Sequence, residues 1–252
     1  SSYSINNMPL TDIEINNLES AIKILSQYDG LPQFDWMAEL LPKLRQGLLP
    51  TDKRQSIIEF GGNSYQRGLE NLGKLYNAAT YNVVLKISYQ PFGIATPVDI
   101  IFHPYYLRQY NLRWFVFGYN AGNGKYNWNL ALDRIGNILE TKLMYRKNTT
   151  IDWKDYFEDI IGVTKPVNRK LENIKLHFST STGRYIESKP MHGSQKSRWL
   201  HTGELEVDLQ LIINYEFEQL LLSYVDAVKI ILPQQLRLTI IDKLQKAMAL
   251  NS

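Results

Sequence analysis

Residues Val98 to Ile138, VDIIFHPYYLRQYNLRWFVFGYNAGNGKYNWNLALDRIGNI, constrain the chain more than any other stretch. Three segments rich in β-branched and aromatic residues, Val98 to Phe102, Trp114 to Tyr119 and Tyr126 to Ile135, alternate with turn-prone connections, the second being Asn120-Ala121-Gly122-Asn123-Gly124. That spacing predicts an antiparallel meander. Ile100-Ile101-Phe102 and Trp114-Phe115-Val116-Phe117 are apolar at consecutive positions, so both faces of these strands are expected to be covered. A small closed β-barrel satisfies this, with His103, Arg113, Asp133 and Arg134 near strand ends, gathered at one mouth.

The order of these residues carries a family likeness. An apolar strand running into His103-Pro104, a following Tyr106-Leu107, then Arg113-Trp114-Phe115-Val116, a glycine-rich turn and Leu132-Asp133-Arg134-Ile135 resemble the WYL family of bacterial regulators. The Trp-Tyr-Leu triplet that names the family is Trp114-Phe115-Val116 here, and Leu130-Ala131 stands where the family often has Phe-Arg, removing one basic group; the Leu-Asp-Arg-Ile element is intact. The resemblance implies an Sm-like β-barrel whose mouth binds a nucleotide or single-stranded nucleic-acid effector.

Composition narrows the classes of function. With 252 residues, 44% of them hydrophobic, the chain can bury one large core or two smaller ones. A formal net charge of +3 permits an anionic partner without requiring one. The absence of cysteine excludes disulfides, thiolate zinc sites and cysteine nucleophiles. The four histidines, His103, His177, His192 and His201, have no metal-ligand spacing. No run approaches the roughly 18 apolar residues of a membrane span, and the start lacks the form of a signal peptide. A cytoplasmic protein is expected. The chain opens on Ser1, as a fragment or processed form would.

Read in order, Thr11-Asp12-Ile13-Glu14 is a capping box ahead of a helix with Ile15, Leu18, Ile22 and Leu25 on one stripe. Phe34 to Leu44 suggests a second helix interrupted by Pro42, and Leu69, Leu72, Leu75, Tyr76 and Ala79 mark a third. Val83 to Tyr89 reads as the first barrel strand, turned by Gln90-Pro91-Phe92-Gly93. Asp152 to Ile160 reads as a short capped helix. Beyond it, period-two runs (Ile174 to Phe178, Val207 to Ile213), a helix from Glu216, an apolar strand Val228 to Leu232 and a helix opened by Pro233 predict a small α+β sandwich. The expected organisation is α+β: a helical connector over 1–79, the barrel over 80–145, a linker with a short helix over 146–168 and the sandwich over 169–252. In the WYL resemblance the connector follows a winged helix, Tyr3-Ser4-Ile5 resembles that domain's end, and the sandwich matches a C-terminal extension through Asn214-Tyr215-Glu216 and Leu232 to Arg237.

Candidate ligand residues are Tyr89, His103, Arg113, Trp114 and Arg134. Two guanidinium groups beside aromatic faces can neutralise phosphate and stack a base. The plainer reading makes Trp114 core, pairs Arg134 with Asp133 or a strand-end carbonyl, and bonds His103 to backbone. Arg184, Lys189, Lys196 and Arg198, with His192 and Trp199, form a basic stretch that tracks phosphates or is simply a solvated loop. No glycine-rich phosphate loop, nucleophile elbow, HExxH or spaced carboxylate cluster occurs, so neither an enzyme nor a cofactor is expected. The expectation is the ligand-sensing, dimerising part of a transcriptional regulator that meets operator DNA through an N-terminal winged helix missing from this chain. The alternative is a stand-alone nucleic-acid-binding module in phage defence or DNA repair.

Overall fold

The computed structural model describes Thr11, Glu14 and residues 67–252. The capping box is formed: the Glu14 carboxylate accepts the Thr11 N–H at 2.8 Å, and the Thr11 hydroxyl accepts the Glu14 N–H at 3.3 Å. The rest of that helix, the segment around Pro42 and Tyr3-Ser4-Ile5 lie outside the described residues. The chain divides into two compact units between Thr149 and Thr150.

In the first unit, a 3₁₀ turn (Leu69–Asn71) leads into α1 (Leu72–Tyr81), which ends on Asn82 in the left-handed region. Leu72, Leu75 and Ala78 recur at three-residue spacing and form its buried stripe. Five strands follow: β1 (Leu85–Tyr89), β2 (Val98–Tyr110), β3 (Arg113–Asn120), β4 (Lys125–Ala131) and, after a 3₁₀ turn at Leu132–Arg134, β5 (Ile135–Glu140). All are paired antiparallel, in the order β4-β3-β2-β1-β5. The core joins the α1 stripe to Leu85, Ile87, Phe102, Val116, Leu130, Leu132 and Ile138. Burying each such side chain contributes about 1.5–3 kcal/mol.

Three expectations need correction, the first being the strand read over Tyr126 to Ile135, which stops at Ala131 and gives way to the 3₁₀ turn and a separate β5. The sheet is open, since β4 and β5 are its edges and the 3₁₀ turn joins them without pairing them. And β2 does not end at Phe102 but runs through His103-Pro104, pairing with β1 by its first half and with β3 by its second. Pro104 has no N–H for a ladder, yet it is accommodated because the register shifts between Pro104 and Tyr106, a bulge that turns Tyr105 aside. The β2–β3 hairpin closes on Asn111 and Leu112, both at positive φ, as a two-residue turn of primed type requires.

The second unit opens with α2 (Trp153–Glu158), whose N-cap Asp152 accepts two backbone N–H groups. Residues 162–168, read from sequence as linker, are tied to this unit. The Glu216 carboxylate accepts the N–H of Val163 and of Thr164, and the Asn214 amide donates to the carbonyls of Ile161 and Thr164. Four antiparallel strands follow, β6 (Glu172–Phe178), β7 (Lys196–Trp199), β8 (Leu205–Leu211) and β9 (Val228–Leu232), ordered β7-β8-β6-β9. With α3 (Thr180–Ser188) between β6 and β7 and α4 (Tyr215–Leu222) between β8 and β9, this is a split βαβ arrangement. A last helix, α5 (Gln234–Leu250), begins one residue after Pro233. Ile174, Leu176, Phe178, Leu205, Val207 and Leu209 alternate inward, and Ile186, Phe217, Leu221 and Leu236 complete the core.

The other sheet face carries charge. Glu206, 6% exposed, accepts from Arg198 Nε at 2.6 Å and lies 3.1 Å from both His177 Nε2 and Lys175 Nζ. Those three partners, Arg198 foremost, hold its carboxyl at about 2, against an ordinary 4.5. Because the folded value is depressed, the stabilisation is complete above 4.5 and is lost as pH falls from there toward 2. Urea unfolding of the second unit followed between neutral pH and pH ~3 is therefore expected to weaken with acid, and Glu206→Gln to flatten that dependence. An unchanged acid slope in Glu206→Gln would contradict the assignment.

Candidate functional site

The connection between β4 and β5 gathers part of the expected site. Its 3₁₀ turn presents Asp133 and Arg134 side by side. Arg113, first residue of β3, places a guanidinium nitrogen 3.3 Å from Asp133 Oδ2. Asp133 therefore has Arg113 as its ion-pair partner, not Arg134. The Arg134 guanidinium instead lies over the Phe92 ring, 3.8 Å from its centroid, and the Arg134 carbonyl accepts the Gln90 N–H at 2.9 Å. Arg134 Nε and Asp133 Oδ1 are buried without a hydrogen-bond partner. Tyr89, buried at the end of β1, accepts the Ala131 N–H on its hydroxyl at 3.4 Å, bringing β1 against the same turn.

Trp114 is half-buried and packs against the core of the sheet, so its indole supports the scaffold. His103 is not at a strand end. It sits in the middle of β2, 5% exposed, with contacts to a separate cluster. Its Nδ1 accepts the N–H of Arg146 at 3.0 Å, and its ring meets Tyr119 edge-on at 5.2 Å and Tyr145 at 5.5 Å. Burial, reinforced by the Arg146 charge, lowers its pKa, so the imidazole is held neutral as an acceptor. Burial likewise pushes the Tyr145 hydroxyl up to about 12, and it donates to the Pro104 carbonyl.

The 3₁₀ turn is itself held by the segment ahead of α1. A Cβ at Gly68, whose φ is 90°, would lie 2.3 Å from the Leu132 carbonyl, and the buried Asn71 amide donates to the Ile135 carbonyl at 3.4 Å. The chain preceding the sheet therefore bears directly on the backbone that carries Arg134.

The basic stretch in the second unit is a loop only in part, with Lys189 and His192 between two ordered elements. Arg184 lies on α3, Lys196 and Arg198 lie on β7, and Arg198 is committed to Glu206. The sequence hid α3 because TSTGRYIES has few apolar residues and a central glycine. That glycine is required by close packing: a Cβ on Gly183 would come within 2.7 Å of Leu205 Cβ and 3.0 Å of the Trp199 ring.

Two participants were missed from sequence. Phe92 falls in a turn where its only visible signal was a large aromatic in a Pro-Gly context. The Tyr145-Arg146 pair lies beyond the last strand, and its signal was an aromatic next to a cation in an otherwise polar run. Among the described residues no group of three or more His, Asp or Glu side chains could hold a metal ion, and no helix is long and apolar enough to cross a membrane.

Comparison with known proteins places these units. No curated protein matches the sequence. Among solved structures, proteasome accessory factor B/C (PafBC) of Arthrobacter aurescens is similar at 12% identity and a TM-score of 0.31, over 71% of this chain. This chain spans only 27% of that one, and at this level the likeness carries no functional meaning. Two family models match, one covering residues 70–139, from the α1 entry to β5, and the other residues 170–248, from β6 into α5; the chain thus contains a WYL domain followed by a WCX domain.

Proposed function

We propose that the WYL domain senses an anionic effector, a nucleotide or single-stranded nucleic acid, at the 3₁₀ turn between β4 and β5, and that the chain is the ligand-sensing part of a bacterial transcriptional regulator. The observation that carries this is Arg134. Its guanidinium is stacked on Phe92 and its Nε is buried without a partner, while Asp133 is taken by Arg113. A partly desolvated cation with no carboxylate on it among the described residues is a ready acceptor for phosphate. Arg113 and Tyr89 frame the turn; Trp114 and His103 belong to the scaffold. The reading is one of binding without catalysis.

Regulation follows from the position of Gly68 and Asn71. An effector that shifts the turn changes the contact with the segment entering α1, provided it binds two arrangements with different affinity. In this reading that segment leads to a DNA-reading module, and the regulator acts as a homodimer on a two-fold operator. The WCX domain offers a surface for such a dimer, since α5 leaves Leu238, Ile241, Met248 and Leu250 exposed. Sedimentation against a chain cut after Thr149 tests it.

Arg134→Ala is expected to weaken binding of a panel of nucleotides by about 1–3 kcal/mol, a charge-assisted bond lost to the ligand, with an unaltered melting temperature. A destabilised protein with unchanged affinity would show that Arg134 is structural.

A further inference from the structure

We propose that the WCX domain carries a binding site of its own, a groove between α4, β9 and α5 that takes a medium-chain carboxylate, an aliphatic tail with one anionic head. The groove has a volume of about 180 Å³. Its floor is aliphatic and buried, with Leu221 from α4, Ile230 from β9 and Ile240 from α5. Val225 forms the lip, in the 3₁₀ turn (Val225–Ala227) that joins α4 to β9. Among the described residues that line it there is no aromatic ring, hydroxyl, amide or acid. A nucleobase would find nothing to stack on, and a sugar nothing to bond. The two polar lining residues are Lys229 and Arg237, both exposed cations.

Neither cation has an ion-pair or hydrogen-bond partner for its side chain among the described residues. The acids of the flanking helices are taken. Lys243 and Lys246 hold Glu218 and Asp242, each at 2.7 Å, and Glu216 accepts from the backbone of Val163 and Thr164. Lys229 lies opposite His177 in the β6–β9 ladder, and Asp226, beside Val225, does not line the groove. Free cations at the rim of an aliphatic floor select a ligand that is anionic at one end and apolar along the rest. Val225 gives a second, independent sign. A β-branched residue at a φ of 40° is strained, yet it is 58% exposed, so packing within the domain does not account for a valine there. An alkyl tail laid against it does. At about 30 Å³ per water-sized group, the groove holds a tail of about six carbons, so hexanoate or octanoate fills it.

Ligand-observed NMR titration of the full chain with butanoate, hexanoate, octanoate and dodecanoate tests this. Affinity should rise about fourfold per methylene, the worth of burying one, and level off at octanoate, which should bind tighter than about 1 mM. Octanol and octylammonium should bind at least about tenfold more weakly than octanoate. Lys229→Gln and Arg237→Gln, at exposed positions, should each weaken octanoate at least about threefold and leave octanol unchanged. Val225→Asp suits the left-handed backbone and sets an anion at the lip, so octanoate should weaken at least about tenfold while the melting temperature does not fall. Arg134→Ala should leave these affinities as they are, which separates this site from the β4–β5 turn. No octanoate binding at about 10 mM, affinity still climbing steeply past octanoate, or octylammonium binding as well as octanoate would each overturn the proposal. Ile241 of the exposed α5 face also lines the groove, so a second copy of the chain is the rival occupant. A dimer that Val225→Asp dissociates and octanoate leaves untouched, measured by sedimentation, would put that copy in the groove and remove the ligand.

Discussion

Gly118→Ala is expected to lose at least about 3 kcal/mol of stability, above the common range for overpacking because the colliding atom is backbone. A Cβ at Gly118 would lie 2.1 Å from the His103 carbonyl oxygen and 2.7 Å from the Phe102 ring. Neither can yield. Phe102 is fully buried in the core, and moving the His103 carbonyl means separating β2 from β3 at the point where the register shifts around Pro104. Since a domain's whole stability is about 5–15 kcal/mol, the first unit should melt at least about 10 °C lower, while the WCX domain keeps its transition. Calorimetry resolving the two units measures this. A shift under ~2 °C would mean that the hairpin tolerates a wider β2–β3 spacing than the structure has.

Gly68→Ala should damage stability and binding together. At a φ of 90° an alanine is strained by about 1–3 kcal/mol, and its Cβ would come within 2.3 Å of the Leu132 carbonyl carbon and oxygen and 2.6 Å of the Asp133 nitrogen. These are backbone atoms of the turn that carries Arg134, so relief of the clash displaces the turn. The expected result is a loss of about 2–4 kcal/mol in stability and a nucleotide affinity lowered at least tenfold, even though Gly68 is not among the proposed ligand groups. Thermal melting and nucleotide titration on the same variant give both quantities. Reduced stability with unchanged affinity would uncouple the turn from the segment ahead of α1, and the regulatory part of the proposed function would fall with it.

Much of the local structure was legible because it depends on near neighbours. Period-two alternation marked β6 and β8; the Val83–Tyr89 and Val228–Leu232 runs contain β1 and β9; and the three-residue spacing of apolar residues marked α1. The capping box at Thr11 and the turn over Asn120 to Gly124, where Gly124 takes a positive φ, were equally readable. The misses share a cause. Strand β2 looked finished at His103-Pro104 because proline breaks a regular ladder, and only the partner strand shows that a bulge absorbs it. Helix α3 was invisible because its packing rests on a missing side chain, Gly183, rather than on an apolar stripe.

The candidate site divides in the same way. Asp133-Arg134 could be placed near a strand end from sequence, since strand ends are local, but the connection they occupy is seen only in the structure, where the strand stops at Ala131 and a new one starts at Ile135. Whether Arg113 or Arg134 takes the Asp133 carboxylate could not, because Arg113 is 20 residues away along the chain and its choice of partner depends on how β3 and the turn are folded together.

What the sequence by itself determined is therefore most of the elements and their order, without β5, α3 and β7, and two charged residues near a strand end, all encoded in spacings of two to four residues. Tertiary structure alone decided that the sheet stays open, that Arg134 lies over the Phe92 ring, that the segment before α1 presses on the turn, and that His103 accepts the backbone N–H of Arg146, 43 residues further on. These are choices among distant partners of similar chemistry. They are settled by packing and desolvation, which no short-range pattern records.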